Sequence, residues 1–405
     1  MSTATKSTRF LITAILTAVL AAAAFYFVYK AIIHFRAQKS REFRFEVSVK
    51  DTSQGYILLS PYVASQPRHS LLIIIDLSGN VIVKKNIEGI VSDFRQWTIN
   101  GNIRYSYLVY DPDKDPGDFI HGSMAHAVIL DSALNEIELV HLLPHNDIMI
   151  NKTNGIDHHD LIMLTDDHFI TISSYVKNVN NIPKSLLPAA RVRVIAPIIQ
   201  EIKNGAVIWQ WDGTSFPEFY LNSTKGNKFS DSSNVQDYMH INSITIDPND
   251  SNLIVSFHNT NQLVKINRRS GDIIWRLGGK NSDFILAADQ VFLRQHHPTF
   301  IDSGCTLMLF DNGDSVMRQT SRVLEFRLDE QKKEVTYFRA YNIPEAFAES
   351  KGSVQLAGND YFICGGSANY VLAVNRKTNN KKMELHYNQT SFRAYFVKGV
   401  PGIKH

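Results

Sequence analysis

The chain has 405 residues, 44% of them hydrophobic, and its 42 Lys and Arg stand against 39 Asp and Glu, which leaves a net charge of only +3. This balance excludes a disordered chain and provides enough apolar residues for a large core. No basic run is interleaved with aromatic residues, so nucleic acid is not an expected partner.

The N-terminal segment predicts a membrane anchor. Residues 10–29 contain no charged side chain, and about twenty apolar residues are what a bilayer-spanning helix needs. A cleaved signal peptide and a buried core helix are the competing interpretations; small residues at 21–24 favour the former. We predict a cytoplasmic tail at 1–9, an uncleaved transmembrane signal-anchor at 10–30 and a linker at 31–42.

The remainder of the chain has the pattern of repeated β-hairpins. Short alternating or β-branched apolar runs are separated by Asp, Asn and Gly, with almost no helical periodicity. Six hairpins recur, at Leu71 to Asn86, His126 to Leu143, Arg191 to Trp211, Gln262 to Leu277, Arg322 to Phe338 and Tyr370 to Tyr387.

Each hairpin is preceded by another apolar strand, which indicates units of about four strands. These strands are Tyr56 to Ser60, Tyr105 to Tyr110, Phe169 to Ser174, Leu253 to Phe257, Leu307 to Phe310 and Tyr361 to Cys364. Radially packed four-stranded sheets bury both faces of such units, so we predict an all-β, six-bladed β-propeller over residues 43–400. A sandwich and a solenoid are the alternatives. We expect the segment Phe43 to Val49 to pair with the C-terminal strand Phe392 to Val397 and close the ring.

Several of the fifteen histidines lie just before the first strand of a repeat. His159, His240 and His296 precede a strand, a turn and a second strand by a similar number of residues, whereas the last repeat has Ser353 and Gln355 there. Equivalent points of the blades fall near the central channel on one face, so we expect the three histidines to converge. Convergent imidazoles suit either metal binding or the transfer of an anionic group.

A series of motifs around these histidines resembles the arylsulfate sulfotransferase family. The segment from Gln236 to Gly279 resembles its H-x-N-S motif, its Ser-x-Arg strand and its TG-x-x-x-W-x-LGG hairpin, and Gln295–His296, FDNG at 310–313 and Ser321–Arg322 follow in order. HHD at 158–160 and GSVQL at 352–356 also match. The series runs from Asp157 to Val374.

The resemblance implies a six-bladed, exported enzyme that moves sulfate from a phenolic sulfate ester to a phenol through a sulfated histidine. By position, His296 is the nucleophile, while His240 and His159 bind sulfate oxygens or transfer the phenolic proton. The neighbours His297 and His158 are the alternatives to His296 and His159. The implied location of the propeller is outside the cytoplasm, in the periplasm.

One position departs from the family pattern. The strand that normally reads Ser-x-Arg-Asn is Ser256, Phe257, His258, Asn259 here, so a fixed cation with a fork of donors is replaced by an imidazole. We expect His258 in the substrate site, together with Asn242 of the H-x-N-S motif. Arg294 and Arg322 are further candidate substrate ligands, and a sheet ion pair is the alternative role for Arg322.

Aryl sulfates and phenols are thus the expected small-molecule partners, with no cofactor and no metal. A non-catalytic envelope propeller that binds a ligand or a protein is the second hypothesis, favoured by the missing arginine. A histidine-ligated metal site for hydrolysis is the third, although the chain lacks HExxH. The sequence leaves open a homodimer and a disulfide between Cys305 and Cys364.

Overall fold

The computed structural model describes residues 42–49, 54–63, 69–110, 125–149 and 155–403, together with Tyr26 and Lys30. The chain divides into two units, Met1–Arg44 and Phe45–His405. Of the described helices, none is long and apolar enough to cross a bilayer. The predicted anchor at 10–30 and linker at 31–42 lie outside the described residues, apart from Tyr26, Lys30 and residue 42.

The second unit consists of six antiparallel sheets, which we number as blades in chain order. An edge strand, β1 (Phe45–Val49), precedes them. The strands of the first three blades are β2 (Tyr56–Leu59), β3 (His69–Asp76) and β4 (Val81–Glu88); β5 (Ile90–Ile99), β6 (Asn102–Tyr110), β7 (His126–Leu130) and β8 (Glu136–Val140); and β9 (Leu161–Thr165), β10 (His168–Val179), β11 (Val192–Lys203) and β12 (Ala206–Asp212).

The strands of the last three blades are β13 (Ile241–Ile246), β14 (Leu253–Phe257), β15 (Gln262–Ile266) and β16 (Ile273–Leu277); β17 (His296–Ile301), β18 (Thr306–Asp311), β19 (Arg322–Asp329) and β20 (Glu334–Asn342); and β21 (Ser353–Ala357), β22 (Asp360–Cys364), β23 (Tyr370–Asn375) and β24 (Lys381–Tyr387). A final strand, β25 (Ala394–Val397), joins the first blade. Among the described residues from 42 to 403, the helical segments are short: one α-helix, Glu218–Asn222, and single 3-10 turns in the connections.

The all-β, six-bladed prediction is confirmed. Every predicted hairpin forms the third and fourth strands of a blade, and every preceding apolar run forms the second. The innermost strands, β25, β5, β9, β13, β17 and β21, contact one another in succession, and the circuit closes from β21 to β25. The structure is therefore a closed β-propeller.

The predicted partner of the closing strand was wrong. β1 pairs with β24, with Phe45 opposite Tyr387, and extends the sixth blade as a fifth, outer strand. The ring is closed by β25, which pairs with β2 so that Leu58 lies opposite Tyr395. The alternation of β1 between half-buried and exposed residues suits an edge strand with one covered face, whereas β2 is almost wholly buried.

The core lies between the faces of adjacent blades. Between the third and fourth blades, for example, Ile170 and Ile172 of β10 belong to one buried cluster with Ile244, Val255 and Phe257. Alternate residues of a strand point to opposite faces, so the apolar runs of the second and third strands supply both neighbouring interfaces.

Near the axis, the blades are joined by a buried polar network around Arg393, the residue before β25. Its guanidinium lies 3.0 Å from Asp93 of β5 and 3.1 Å from Asp160, which precedes β9. It also donates to the Asn242 carbonyl and the Ser243 hydroxyl, both at 3.1 Å. We call these residues the axial network; it fixes the inner strands beneath the face that carries the histidines.

The two cysteines are both free thiols, Cys305 exposed and Cys364 buried. Cys305 lies at the turn between β17 and β18, and Cys364 ends β22. The disulfide that the sequence left open is not formed.

Candidate active site

Three histidines reach the same face from equivalent positions in three consecutive blades. His159 lies two residues before β9, His240 one residue before β13, and His296 is the first residue of β17. The His159 ring lies 5.4 Å from that of His240 and 6.5 Å from that of His296, between ring centroids. The predicted convergence is thus present.

His258 completes the set from the connection between β14 and β15. Its ring centroid lies 5.3 Å from that of His240 and 5.8 Å from that of His296. We call His159, His240, His258 and His296 the histidine pocket. His159 and His296 are buried, whereas His240 and His258 are partly exposed.

Each pocket histidine is held through Nδ1 by an oxygen acceptor. His159 donates to Asp157 at 2.5 Å, His240 to Asp237 at 2.7 Å, His258 to Asn259 at 2.7 Å and His296 to Asn312 at 2.6 Å. The amide orientations follow from their own bonds: Asn259 Nδ2 donates to the Asp237 carbonyl, and Asn312 Nδ2 to those of Ala348 and Lys351. With Nδ1 protonated, the neutral ring leaves the lone pair on Nε2.

Three of the four rings are neutral near pH 7. Burial, together with the charges of neighbouring histidines and cations, holds the pKa values of His159, His258 and His296 well below the usual value. A neutral His296 has its Nε2 lone pair available for attack on an electrophile.

His240 differs from the other three rings in the direction of its pKa shift, although His159 also has a carboxylate acceptor. Burial alone would lower its pKa, but the charge and hydrogen bond of Asp237, with a further contribution from Asp157, raise the pKa of His240 above the usual value. His240 is therefore the pocket histidine that keeps its Nε2 proton to the highest pH.

The spacing of the pocket does not match a metal cage. Throughout the part of the chain that the structure describes, the single group of three His, Cys, Asp or Glu ligand atoms within 4.8 Å of one another is Asp157, His158 and His159. Two of these three are already hydrogen-bonded to each other, and no three of the four pocket histidines bring ring nitrogens that close. Polyatomic groups suit the wider space between the rings.

The side chains of the other predicted substrate ligands are engaged by protein groups. Asn242 is fully buried, and its amide donates to the Gln295 carbonyl at 2.8 Å. Arg294 pairs with Asp314 at 2.6 Å. Arg322 is buried in the sheet, where it binds Asp311 and the carbonyls of Asp289 and Val291. This is the sheet ion pair that the sequence offered as its alternative role.

The neighbouring histidines occupy different surroundings. His158 stacks on His159 with ring centroids 4.5 Å apart. His297 points into the central channel, where Nδ1 donates to the Val354 carbonyl at 3.0 Å and the ring lies 5.7 Å from that of Tyr395. It lines a channel cavity of about 240 Å³ with Arg95. Of the pair at 296 and 297, only His296 belongs to the histidine pocket.

Sequence reasoning missed two pocket residues. Phe392 contacts the His159 ring edge-on at 5.8 Å, and the Lys351 ammonium lies over the Phe392 ring at 4.9 Å. Lys351 lies two residues before β21, as His159 does before β9, so the blade alignment that found the histidines also contained this signal. The acceptors Asp157 and Asp237 lie two and three residues before their histidines, so the sequence alone could also have indicated them.

The comparison with protein families gives one match. The model of a family described as Arylsulfotransferase (ASST) matches residues 99–396, most of the chain and more than the motif series from Asp157 to Val374. No curated protein sequence matches.

Among solved structures, similar chains include a protein of unknown function from Bacteroides caccae, with 11% identity and a TM-score of 0.48, covering 86% of this chain and 100% of that one. The periplasmic gluconolactonase PpgL of Pseudomonas aeruginosa has 11% identity and a TM-score of 0.43, covering 86% and 100%. Apo AztD of Citrobacter koseri has 9% identity and a TM-score of 0.40, covering 85% and 98%.

Proposed function

Because the chain belongs to the arylsulfotransferase family, we propose that it transfers a sulfuryl group from a phenolic sulfate ester to a phenol through a sulfated His296. The observation that carries the proposal is the histidine pocket, in which His159 and His258 each contact both His240 and His296. His296 is neutral and fixed through Nδ1, and the raised pKa of His240 suits it to hold the proton for the leaving group. Nucleophile and acid are the two groups that the first half-reaction requires.

In the first half-reaction, His296 Nε2 attacks the sulfur of the aryl sulfate. The new N–S bond forms as the S–O bond to the aryl group breaks, and the bonding pair leaves on the phenolic oxygen. The His240 imidazolium gives that oxygen its proton, so phenol departs and His240 becomes neutral. Asn312 and the Arg294 carbonyl keep the proton on His296 Nδ1 and orient Nε2.

The second half-reaction reverses these steps with an acceptor phenol. Neutral His240 takes the phenolic proton while the phenol oxygen attacks sulfur, and the N–S bond breaks with its electron pair returning to His296 Nε2. His159, fixed by Asp157, adjoins both histidines and lines the sulfuryl site. The kinetics are ping-pong, because the first phenol leaves before the second reacts.

We further propose that residues 10–30 anchor the chain in a membrane and that the propeller lies on the non-cytoplasmic side, as the uncharged segment 10–29 suggests. Retention of the full chain in the membrane fraction after alkaline extraction tests this; release into the soluble fraction contradicts it.

The transfer is tested with 4-nitrophenyl sulfate as donor and a phenol as acceptor. We expect nitrophenol release and, with donor alone, a mass increase of one sulfuryl group on the peptide containing His296. His296→Ala is expected to lose both signals, a fall of roughly 10³-fold or more in kcat. His258→Arg, which restores the family residue, is expected to remain active.

If neither the natural chain nor His258→Arg releases nitrophenol while each still binds the donor, the protein is a non-catalytic propeller that binds aryl anions. Labelling of His297 in place of His296 would contradict the assignment of the nucleophile.

A further inference from the structure

The sulfuryl oxygens need positive charge that the neutral histidines do not supply; this inference rests on the proposed transfer. With Nδ1 bonded to Asn259, a neutral His258 presents a lone pair at Nε2, and a lone pair repels an oxyanion. His258 is therefore no replacement for an arginine. His240 has a proton to donate, but it gives this proton to the leaving phenol.

The arginines near the pocket are already neutralised. Arg294 lies 2.6 Å from the Asp314 carboxylate. Arg393 is buried between Asp93 and Asp160, and its remaining donors bind Asn242 and Ser243. Neither guanidinium is available for an anion without the loss of an existing ion pair.

Lys351 is the exception. No acceptor of its ammonium occurs among the residues that the structure describes; its contact is the Phe392 ring at 4.9 Å. Phe392 in turn touches the rings of His158 and His159. These contacts place the ammonium at the wall of the histidine pocket. Burial lowers the pKa of Lys351 from its usual value, and the charge of Lys351 helps to lower the pKa of His159.

The backbone of Lys351 is held firmly in this position. Residue 351 has a φ of 65° and Gly352 a φ of 99°; a Cβ at Gly352 would lie 2.5 Å from the Phe310 ring. The Asn312 amide donates to the Lys351 carbonyl at 2.9 Å while its oxygen accepts from His296. One side chain thus positions both the nucleophile and the lysine.

We propose that the Lys351 ammonium binds the sulfuryl oxygens of the aryl sulfate and of the sulfated histidine, so that the cation of this site comes from the sixth blade. Lys351 keeps its proton throughout. The ligand that it recognises is a tetrahedral oxyanion carried by an aromatic ring, with the ring near Phe392.

Binding of 4-nitrophenyl sulfate, measured by titration calorimetry in the His296→Ala chain, separates this role from turnover. Adding Lys351→Met is expected to weaken binding by about 10- to 100-fold, the usual range for a hydrogen bond to a charged group. Lys351→Arg should recover most of the affinity because it keeps the charge. Lys184→Met, at an exposed lysine of the β10–β11 connection, is the matched control and should bind unchanged.

In the otherwise natural chain, Lys351→Met is expected to lower kcat/KM about 10²-fold with a thermal midpoint close to that of Lys351→Arg. Equal affinity of the Lys351→Met and parent chains, or no measurable binding by the parent, would overturn the proposal. If the natural chain bound donor through Lys351 but never formed sulfohistidine, the transfer mechanism would fail and the anion site would stand.

Discussion

The charge of a pocket histidine depends partly on the atom that its Nδ1 meets; burial and neighbouring cations also count, since they keep His159 neutral although its acceptor is the Asp157 carboxylate. Asn259 and Asn312 are neutral acceptors, so His258 and His296 gain orientation without a charge that would stabilise their protonated forms. Asp237 is a carboxylate and therefore stabilises the imidazolium of His240. The neutral amide of Asn312 and the carboxylate of Asp237 thus contribute to the opposite pKa shifts of His296 and His240.

Asp237→Asn tests this assignment. With Asp237 present, the raised pKa of His240 keeps the acid protonated above pH 6.5, and kcat/KM for 4-nitrophenyl sulfate should fall on the alkaline side as that proton is lost. Removing the carboxylate lowers the pKa of His240, because burial and the charge of Lys225 then oppose protonation and only Asp157 still favours it. The alkaline limb of the pH–rate profile should move down by about 1 to 3 units.

The acid limb provides the internal control for Asp237→Asn. It reports protonation of His296, whose pKa is lowered mainly by burial, and should move much less. An unchanged alkaline limb would exclude His240 as the acid.

At this scale, the sequence identified His159, His240, His258 and His296 but not Lys351. Histidines at equivalent repeat positions are a visible pattern. The lysine was missed because its family counterpart is an arginine on another blade, so motif matching directed attention to Arg294. That arginine's ion pair with Asp314 depends on the connection between β18 and β19, a tertiary contact that spacing does not encode.

The strands were predicted well because each blade repeats the same burial pattern. The second strands β2, β14 and β18 are buried along nearly all of their length, and continuous apolar runs make such strands easy to locate. The partner of the closing strand was predicted wrongly, because β1 and β2 are both short and both precede the first hairpin. Burial distinguishes them: β1 alternates, as an edge strand does, and β2 does not.

Proline substitutions in these two strands test the closure. Leu58 lies opposite both Tyr395 of β25 and Ile74 of β3 and is fully buried. Leu58→Pro removes a ladder donor in a strand paired on both sides and should lower the free energy of unfolding by about 3 kcal/mol or more. Urea denaturation followed by tryptophan fluorescence measures this loss.

Ser48→Pro is the matched change in β1. Ser48 is exposed at a register shift between Val47 and Val49, where proline is tolerated, and the loss should stay below about 1 kcal/mol. Equal losses for the two substitutions would show that β2 is not the closing partner.

Across the whole molecule, the axial network connects all six blades. Arg393 adjoins β25 of the first blade and binds Asp93 of the second, Asp160 of the third and Ser243 of the fourth. The Ser243 hydroxyl accepts from the His297 backbone in the fifth blade, and the His297 ring donates to Val354 in the sixth. The same arginine helps to lower the pKa values of His159 and His296, so ring closure and pocket chemistry share one residue.

Replacing Arg393 by Met should therefore destabilise the protein far more than removing a peripheral arginine. It leaves Asp93 buried without its ion-pair partner and Asp160 with only Arg95 at 3.8 Å, which costs about 3 to 5 kcal/mol near neutral pH. The control is Arg104→Met, which breaks a pair with the exposed Asp166 and should cost about 1 kcal/mol.

The sign of the pH dependence distinguishes this cause from lost packing. Burial already raises the pKa of Asp93, and without Arg393 it rises further, so the folded variant takes up a proton more readily than the unfolded chain as pH falls. The defect measured by urea denaturation should therefore be larger at pH 8 than at pH 5.5, and Asp93→Asn added to Arg393→Met should restore part of the stability at pH 8. A defect of the same size at both pH values would attribute the loss to packing of the arginine side chain, and the blades would then be held together without its charge.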